Sequence, residues 1–295
     1  MGCSASKSVS ITEELDRAND RATKSEARTR AALAAEERRV LRERARAHLS
    51  MSLRQLSAFD DGLLEVLQTG GIRLLRTDWL LEKPDDFRIL RRQDLETLEQ
   101  KGESPLLSVE EAVTLVCRAA REMGVLTYGW LSPGQPDPKG ARVAVVRRAL
   151  RENPHIVAIF WDFASLYQAP RTAEETEIFG KALKVMNQPY ASAVGTTVLQ
   201  LKEIPDRPDD YDGAVAIFGP KDDLNEPKIR AALETAGAIA SVEKRAWPPW
   251  VIYFASHADA LVAIEWFAKT KAELWDNLDT LYNERPYDDR GWCAL

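Results

Sequence analysis

Two groups of residues in this sequence have the types and spacing for chemistry. Asp162 and Ser165 stand directly after the apolar run Ile156-Val-Ala-Ile-Phe160. Open α/β sheets usually hold their ligands at the carboxyl ends of strands, so this pair is a candidate polar pocket. Trp161 and Trp130 are the rings nearest to it in the predicted topology, either to stack on a base or to fill core. For Asp162 the competing role is a loop aspartate that caps local amides. The second group is Lys244, Arg245, Trp247 and Trp250. It combines cations with flat rings, the pairing that holds a single nucleic-acid strand by charge and stacking.

Other chemistries find little support. The histidines, His48, His155 and His257, fall on separate predicted elements and form neither a triad nor a ligand set. Cys3, Cys117 and Cys293 lie far apart, without metal spacing, as in chains kept reduced. Gly129, Gly134 and Gly140 lack the strand–loop–helix spacing of a phosphate fingerprint. No metal and no cofactor is therefore expected from the residue patterns. The net charge of -6 argues against wholesale nucleic-acid binding.

The amino terminus, Met1-Gly-Cys-Ser-Ala-Ser-Lys7, carries a third kind of site. Glycine at position 2 with serine at position 6 fits N-myristoylation, which places one acyl chain on Gly2. Cys3 beside it is the natural palmitoylation position. One myristoyl chain binds a bilayer only marginally and a second makes residence stable. The expected partner is a membrane surface, with the protein peripheral on the cytoplasmic face.

The elements that position these residues follow in order. Residues 1–10 form the acylated segment, and 11–69 read as a long charged helical region rich in Ala, Arg, Glu and Leu. Its apolar stripe is thin and interrupted, and Glu–Arg pairs at helical spacing would support it in solvent. Arg38, Arg39, Arg42, Arg44 and Arg46 offer an alternative, contact with anionic lipid. Residues 70–124 are a mixed lead-in, with a short strand at Ile72–Leu75 and a helix from Ser108, capped with Glu111, that turns Cys117 onto its apolar face.

Residues 125–206 alternate strand and helix. Strands are predicted at Val125–Leu131, Ile156–Phe160 and Ala193–Leu201, and helices at Ala141–Arg151, its arginines opposite Val143, Val146 and Leu150, and Glu174–Met186. Right-handed crossovers between such strands imply a doubly wound parallel sheet. Residues 207–270 read differently. The order is strand Ala214–Phe218, helix Glu226–Ala236, strands Ile239–Arg245 and Trp250–Ala255, and helix His257–Ala268. That βαββα order resembles the ferredoxin-like plait of RNA-recognition modules. The stacking positions of such a module would fall at Pro249, Val251 and near Ala216, none aromatic, and its edges are acidic.

A family resemblance covers about half the chain. Tyr287 through Cys293 resembles the Trp-Cys-x-x-Glu signature of TIR domains, through Trp292 and Cys293. Leu126-Thr-Tyr-Gly-Trp130 is similar to the first TIR strand and its loop, and Phe160–Leu166 to the second. The resemblance implies an α/β, flavodoxin-like sheet with the plait inserted after its third strand, and a return of residues 271–295 to that sheet. It places Trp130, Trp161, Asp162, Ser165, Trp292 and Cys293 around one ligand pocket. In NAD-cleaving members a glutamate lies three positions after the cysteine. Here only Ala294 and Leu295 follow Cys293, so the expectation is a non-catalytic chain or a fragment. Three functions remain open: a membrane-tethered signalling or scaffold protein acting through protein partners and self-association, a TIR-type NAD glycohydrolase with its glutamate beyond Leu295, and an RNA-binding protein using the plait.

Overall fold

The computed structural model divides the chain into two units, residues 1–56 and 57–295. It describes residues 60–192, 195–246, 248–270 and 273–289, with a few helical residues between 28 and 40. Gly2, Cys3, the arginine cluster at 38–46, His48, Trp247, Trp292 and Cys293 lie outside the described residues.

The second unit opens with helix α1 (Asp61–Gln68), which buries Leu63, Val66 and Leu67 at i, i+3 and i+4. Gly70, at φ 69°, supplies the left-handed backbone that ends it. Strand β1 (Leu75–Arg76), helices α2 (Thr77–Leu81) and α3 (Arg92–Gln100), and helix α4 (Val109–Cys117) follow. The α4 capping box is present, with Ser108 Oγ accepting from Glu111 N and the Glu111 carboxylate accepting from Ser108 N. Cys117, expected on the apolar face, is exposed. The buried stripe is Ala112, Leu115 and Val116, and Cys117 lies about 100° of helix rotation past Val116.

Next come β2 (Met123–Tyr128), α5 (Ala141–Glu152), β3 (Ala158–Phe160), the short turn α6 (Asp162–Ser165), α7 (Ala173–Lys184), α8 (Gln188–Ala191) and β4 (Thr196–Leu201). They form a four-stranded sheet in the order β1-β3-β2-β4. β2 runs parallel to both β3 and β4, in register from Met123↔Thr196 to Tyr128↔Leu201. The wholly parallel sheet expected from the sequence is corrected at one edge. β1 is antiparallel to β3, pairing Leu75 with Ile159. An antiparallel edge strand on an otherwise parallel sheet is a common variant of doubly wound folds, and three helices, α2 to α4, separate β1 from the next strand of the sheet.

Both faces of the central strands are covered, but the strand is shorter than the apolar run: β3 keeps Ala158–Phe160, and Val157 before it is exposed. Leu126, Tyr128 and Ile159 pack with Val143, Val146 and Leu150 of α5 on one face. Val125, Ala158 and Phe160 pack with α1 and α4 on the other. The arginines of α5 do not all face solvent as its pattern suggests. Arg142 and Arg147 are 0% and 6% exposed. Each guanidinium is taken up by backbone carbonyls: Arg147 by Leu81 and Pro84, Arg142 by Gly129 and Glu203. A planar fork with several donors can satisfy such a set where an amphipathic reading sees only charge.

The remaining elements are β5 (Ala214–Phe218), α9 (Glu226–Leu233), β6 (Ile239–Lys244), β7 (Trp250–Phe254), α10 (His257–Thr270) and β8 (Asn277–Thr280). They form a second, antiparallel sheet ordered β6-β7-β5-β8. β8 corrects the sequence reading, which sent everything after residue 271 back to the first sheet. Its four residues contain one buried apolar side chain, Leu278, too little pattern to mark a strand. After β8 the chain does return. Asn283 N donates to Leu131 O (2.8 Å), and the Tyr287 hydroxyl meets Thr127 Oγ1 at 2.6 Å.

Val215, Ile217, Ile252 and Phe254 face α9 and α10. The opposite face is closed by irregular chain. Ala214, Ala216, Val251 and Leu281 are buried there, with Tyr211 and Tyr253 packed around them. Gly213 sits at this junction at φ 68°, where an added Cβ would lie 2.4 Å from Phe254 O.

Candidate functional site

The carboxyl end of β2 and β3 carries the site. Trp161 follows β3 and Asp162 begins the turn α6, so the carboxylate leaves the core at the rim of the sheet. Asp162 Oδ1 accepts from the Tyr128 hydroxyl (2.6 Å) and from Phe163 N (2.7 Å), and Oδ2 accepts from Trp130 Nε1 (2.8 Å). Tyr128 in turn accepts from Trp161 Nε1 at 2.7 Å. The result is a directed relay, Trp161 to Tyr128 to Asp162, with Trp130 closing it from the other side. T-shaped ring pairs Tyr128–Trp161 (5.9 Å) and Trp130–Phe163 (5.7 Å) fix the orientations.

Burial raises the Asp162 carboxyl above its ordinary value of 3.8, while its three donors pull it back. Tyr128 is pushed well above 10.0, first by burial and then by the charge of Asp162. Tyr128 therefore keeps its proton and donates it. A carboxylate has about four lone-pair positions. Three are occupied, which leaves Oδ2 able to accept one more donor.

Asp162, Trp130 and Tyr128 line a cavity of about 910 Å³, at the upper end of the size range of small-molecule sites. The sheet contributes Thr127, Val198 and Gln200 to its wall, the segment of α7 and α8 contributes Met186 and Tyr190, and the returning segment contributes Arg285 and Tyr287. Tyr190 donates to Leu126 O (3.0 Å) and Gln200 Nε2 donates to the Tyr287 hydroxyl (3.3 Å). Arg285 is held by Asp279 (2.9 Å) and Asn283. Arg142 braces the loop beneath Trp130, donating to Gly129 O (3.2 Å) and across to Glu203 O (2.6 Å). Burial lowers its pKa.

The structure thus brings Trp130 and Asp162 to the cavity and sets the other two described pocket candidates behind it. Trp161 is 0% exposed and serves as core and relay donor. Ser165 is also fully buried, and its hydroxyl accepts from Trp161 N (3.0 Å). Its carbonyl accepts from Arg73 N and Arg92 Nη1, so Ser165 holds the turn rather than a ligand. Sequence alone does not single out Tyr128, Tyr190, Gln200, Arg285 or Tyr287. Tyr128 carries the one available signal, a tyrosine at a strand's end three residues after Val125.

The second group is less coherent. Trp250 packs partly into the core under α9 and α10, and the Lys244 ammonium lies 5.6 Å from its ring. Arg245 is bound to Glu243 and to the Tyr253 hydroxyl. Val251 and Ala216, the positions a stacking platform would use, pair with each other and are 0% exposed. His155 and His257 stay apart, and among the described residues no cluster of His, Cys, Asp and Glu could hold a metal ion. Among the described residues no helix is long and apolar enough to cross a membrane.

No family model matches the chain, and no curated protein matches it.

Proposed function

We propose that the protein is a membrane-tethered signalling or scaffold protein whose TIR-like first sheet carries a binding cavity for a small, ring-bearing ligand. The observation that carries this reading is Asp162: a desolvated carboxylate on the cavity wall, with one acceptor position open and Trp130 and Tyr128 beside it. Such a wall suits a flat heteroaromatic group that donates one N–H or O–H to Oδ2 while its face meets an aromatic or apolar side chain.

The fold reading is consistent with it. The parallel order β3-β2-β4 supports a flavodoxin-like sheet, with the first of the three strands in the middle. The order β6-β7-β5-β8, with helices after β5 and β7, supports a ferredoxin-like plait. Because the plait's open face is closed by its own chain, the plait fits a role in spacing or protein contact better than RNA binding. Saturable binding of nucleosides, nicotinamide or NAD, weakened by Trp130→Ala and by Asp162→Asn, would support the reading.

A second reading, a TIR-type NAD glycohydrolase, draws on the same carboxylate. A raised acid in a cleft is a common mark of catalytic sites. It predicts loss of NAD and release of nicotinamide on incubation with this chain or a longer product of its gene. Intact NAD in both leaves the binding role alone.

A further inference from the structure

The second sheet has a cavity of its own, of about 680 Å³, within the size range of small-molecule sites. Its floor is apolar: Ile264 and Phe267 of α10, Trp275, and Leu278 of β8. Trp275 stacks on Phe267 with ring centroids 5.8 Å apart and is 3% exposed. The segment that carries it is fixed against the end of β5. Asp276 N donates to Phe218 O (2.9 Å), and Lys221 N donates to Leu274 O (3.0 Å).

One buried group on this floor is unsatisfied. Trp275 Nε1 has no acceptor among the described residues, although buried N–H groups nearly always have one. The indoles of Trp79, Trp130 and Trp161 each donate to a side-chain oxygen. The rim is charged and of both signs, with exposed Lys221, Glu273 and Asp276. Asp276 lies tight against the backbone of Gly219, where an added Cβ would come within 1.9 Å of its Oδ2.

We propose that this cavity binds a free α-amino acid with an apolar side chain. The unpartnered indole N–H needs an acceptor, and a carboxylate supplies one while Lys221 meets its charge. The ammonium is met by Glu273 and Asp276, and the side chain covers Ile264, Phe267 and Leu278. A simple anion would face two carboxylates, and a simple cation would leave the indole N–H unpaired. A molecule that carries both charges beside one apolar group answers every part of the lining.

Titration of the full chain with L-phenylalanine, followed by NMR of the indole N–H groups, tests this. Trp275→Phe identifies the Trp275 resonance as the one it removes. L-phenylalanine should shift that resonance saturably at millimolar concentrations and leave the Trp130 resonance in place, which separates this site from the cavity at Asp162. N-acetyl-L-phenylalanine, without the ammonium, and L-phenylalaninamide, without the carboxylate, should each bind about tenfold more weakly or worse. Lys221→Gln and Glu273→Gln should weaken L-phenylalanine similarly in calorimetry, with unchanged thermal midpoints because both positions are exposed. Should Trp275→Phe fold poorly, calorimetry on these two variants decides. A Trp275 resonance that does not move, equal binding of the three compounds, or wild-type affinity in both rim variants would each overturn the proposal.

Discussion

The hydroxyl of Tyr128 lies 2.6 Å from Asp162 Oδ1 and links the buried end of one parallel strand to the first turn after its neighbour. The bond joins fold and site. Tyr128 ends β2 and Asp162 follows β3, so the contact ties together the carboxyl ends of two neighbouring parallel strands.

Tyr128→Phe removes the middle of the relay. Trp161 Nε1 loses its acceptor in the core and Asp162 loses a donor. An unsatisfied buried polar group costs about 1–3 kcal/mol, so a loss of roughly 2–4 kcal/mol is expected. Urea unfolding with an unchanged slope would measure it. Trp161→Ala, which also opens a cavity in the core, should lose about 3–5 kcal/mol.

Asp162 predicts a pH dependence with a definite sign. Its folded pKa lies above the ordinary 3.8, so between that value and the folded midpoint the native state binds more protons than the unfolded one. Its contribution to stability is therefore greatest below pH 3.8 and falls as pH rises through the window. The difference in unfolding free energy between wild type and Asp162→Asn, followed over that window, should show this slope. A difference that rises with pH would assign the carboxylate to a charge-stabilising environment instead.

Arg142→Met should destabilise the chain by about 2–4 kcal/mol, since the carbonyls of Gly129 and Glu203 both lose a charged donor. Arg142→Lys should recover little, because an ammonium lacks the planar fork that spans two acceptors. Thermal unfolding of the three proteins separates these outcomes.

Gly213→Ala tests the junction at the start of the second sheet. The backbone there is left-handed and the new methyl would meet Phe254 O, so a penalty of about 1–3 kcal/mol is expected in chemical denaturation.

Gly2→Ala tests the tether. Loss of the acyl acceptor should move the protein from the membrane fraction to the soluble one, and unchanged membrane association would remove the lipid anchor from the account.

The strands and helices of both sheets were legible where the hydrophobic pattern was strong, as at Ala141–Arg151 and in the run Ile156–Phe160, of which Ala158–Phe160 forms the strand. β8 was not, because Asn-Leu-Asp-Thr gains its strand from pairing with β5 rather than from its own pattern. The site divides in the same way. Asp162 could be found because a polar residue after an apolar strand marks a sheet's rim. Tyr190 reaches the cavity from the short helix α8, and Arg285 and Tyr287 from a segment far along the chain, and no local spacing encodes that meeting. Trp161 and Ser165 were near the right place but on the inner side of the turn, a distinction set by side-chain direction alone.

The most direct test of the cavity is an NMR titration of the full chain with adenosine, nicotinamide and NAD, repeated on Trp130→Ala and Asp162→Asn. At least one compound should saturate the wild type, shifting the indole resonance of Trp130, and each substitution should weaken it by about tenfold or more, as loss of a charged hydrogen bond or a ring contact implies. If none of the three binds at millimolar concentration, or binding is equal in all three proteins, the cavity is not the ligand site described above.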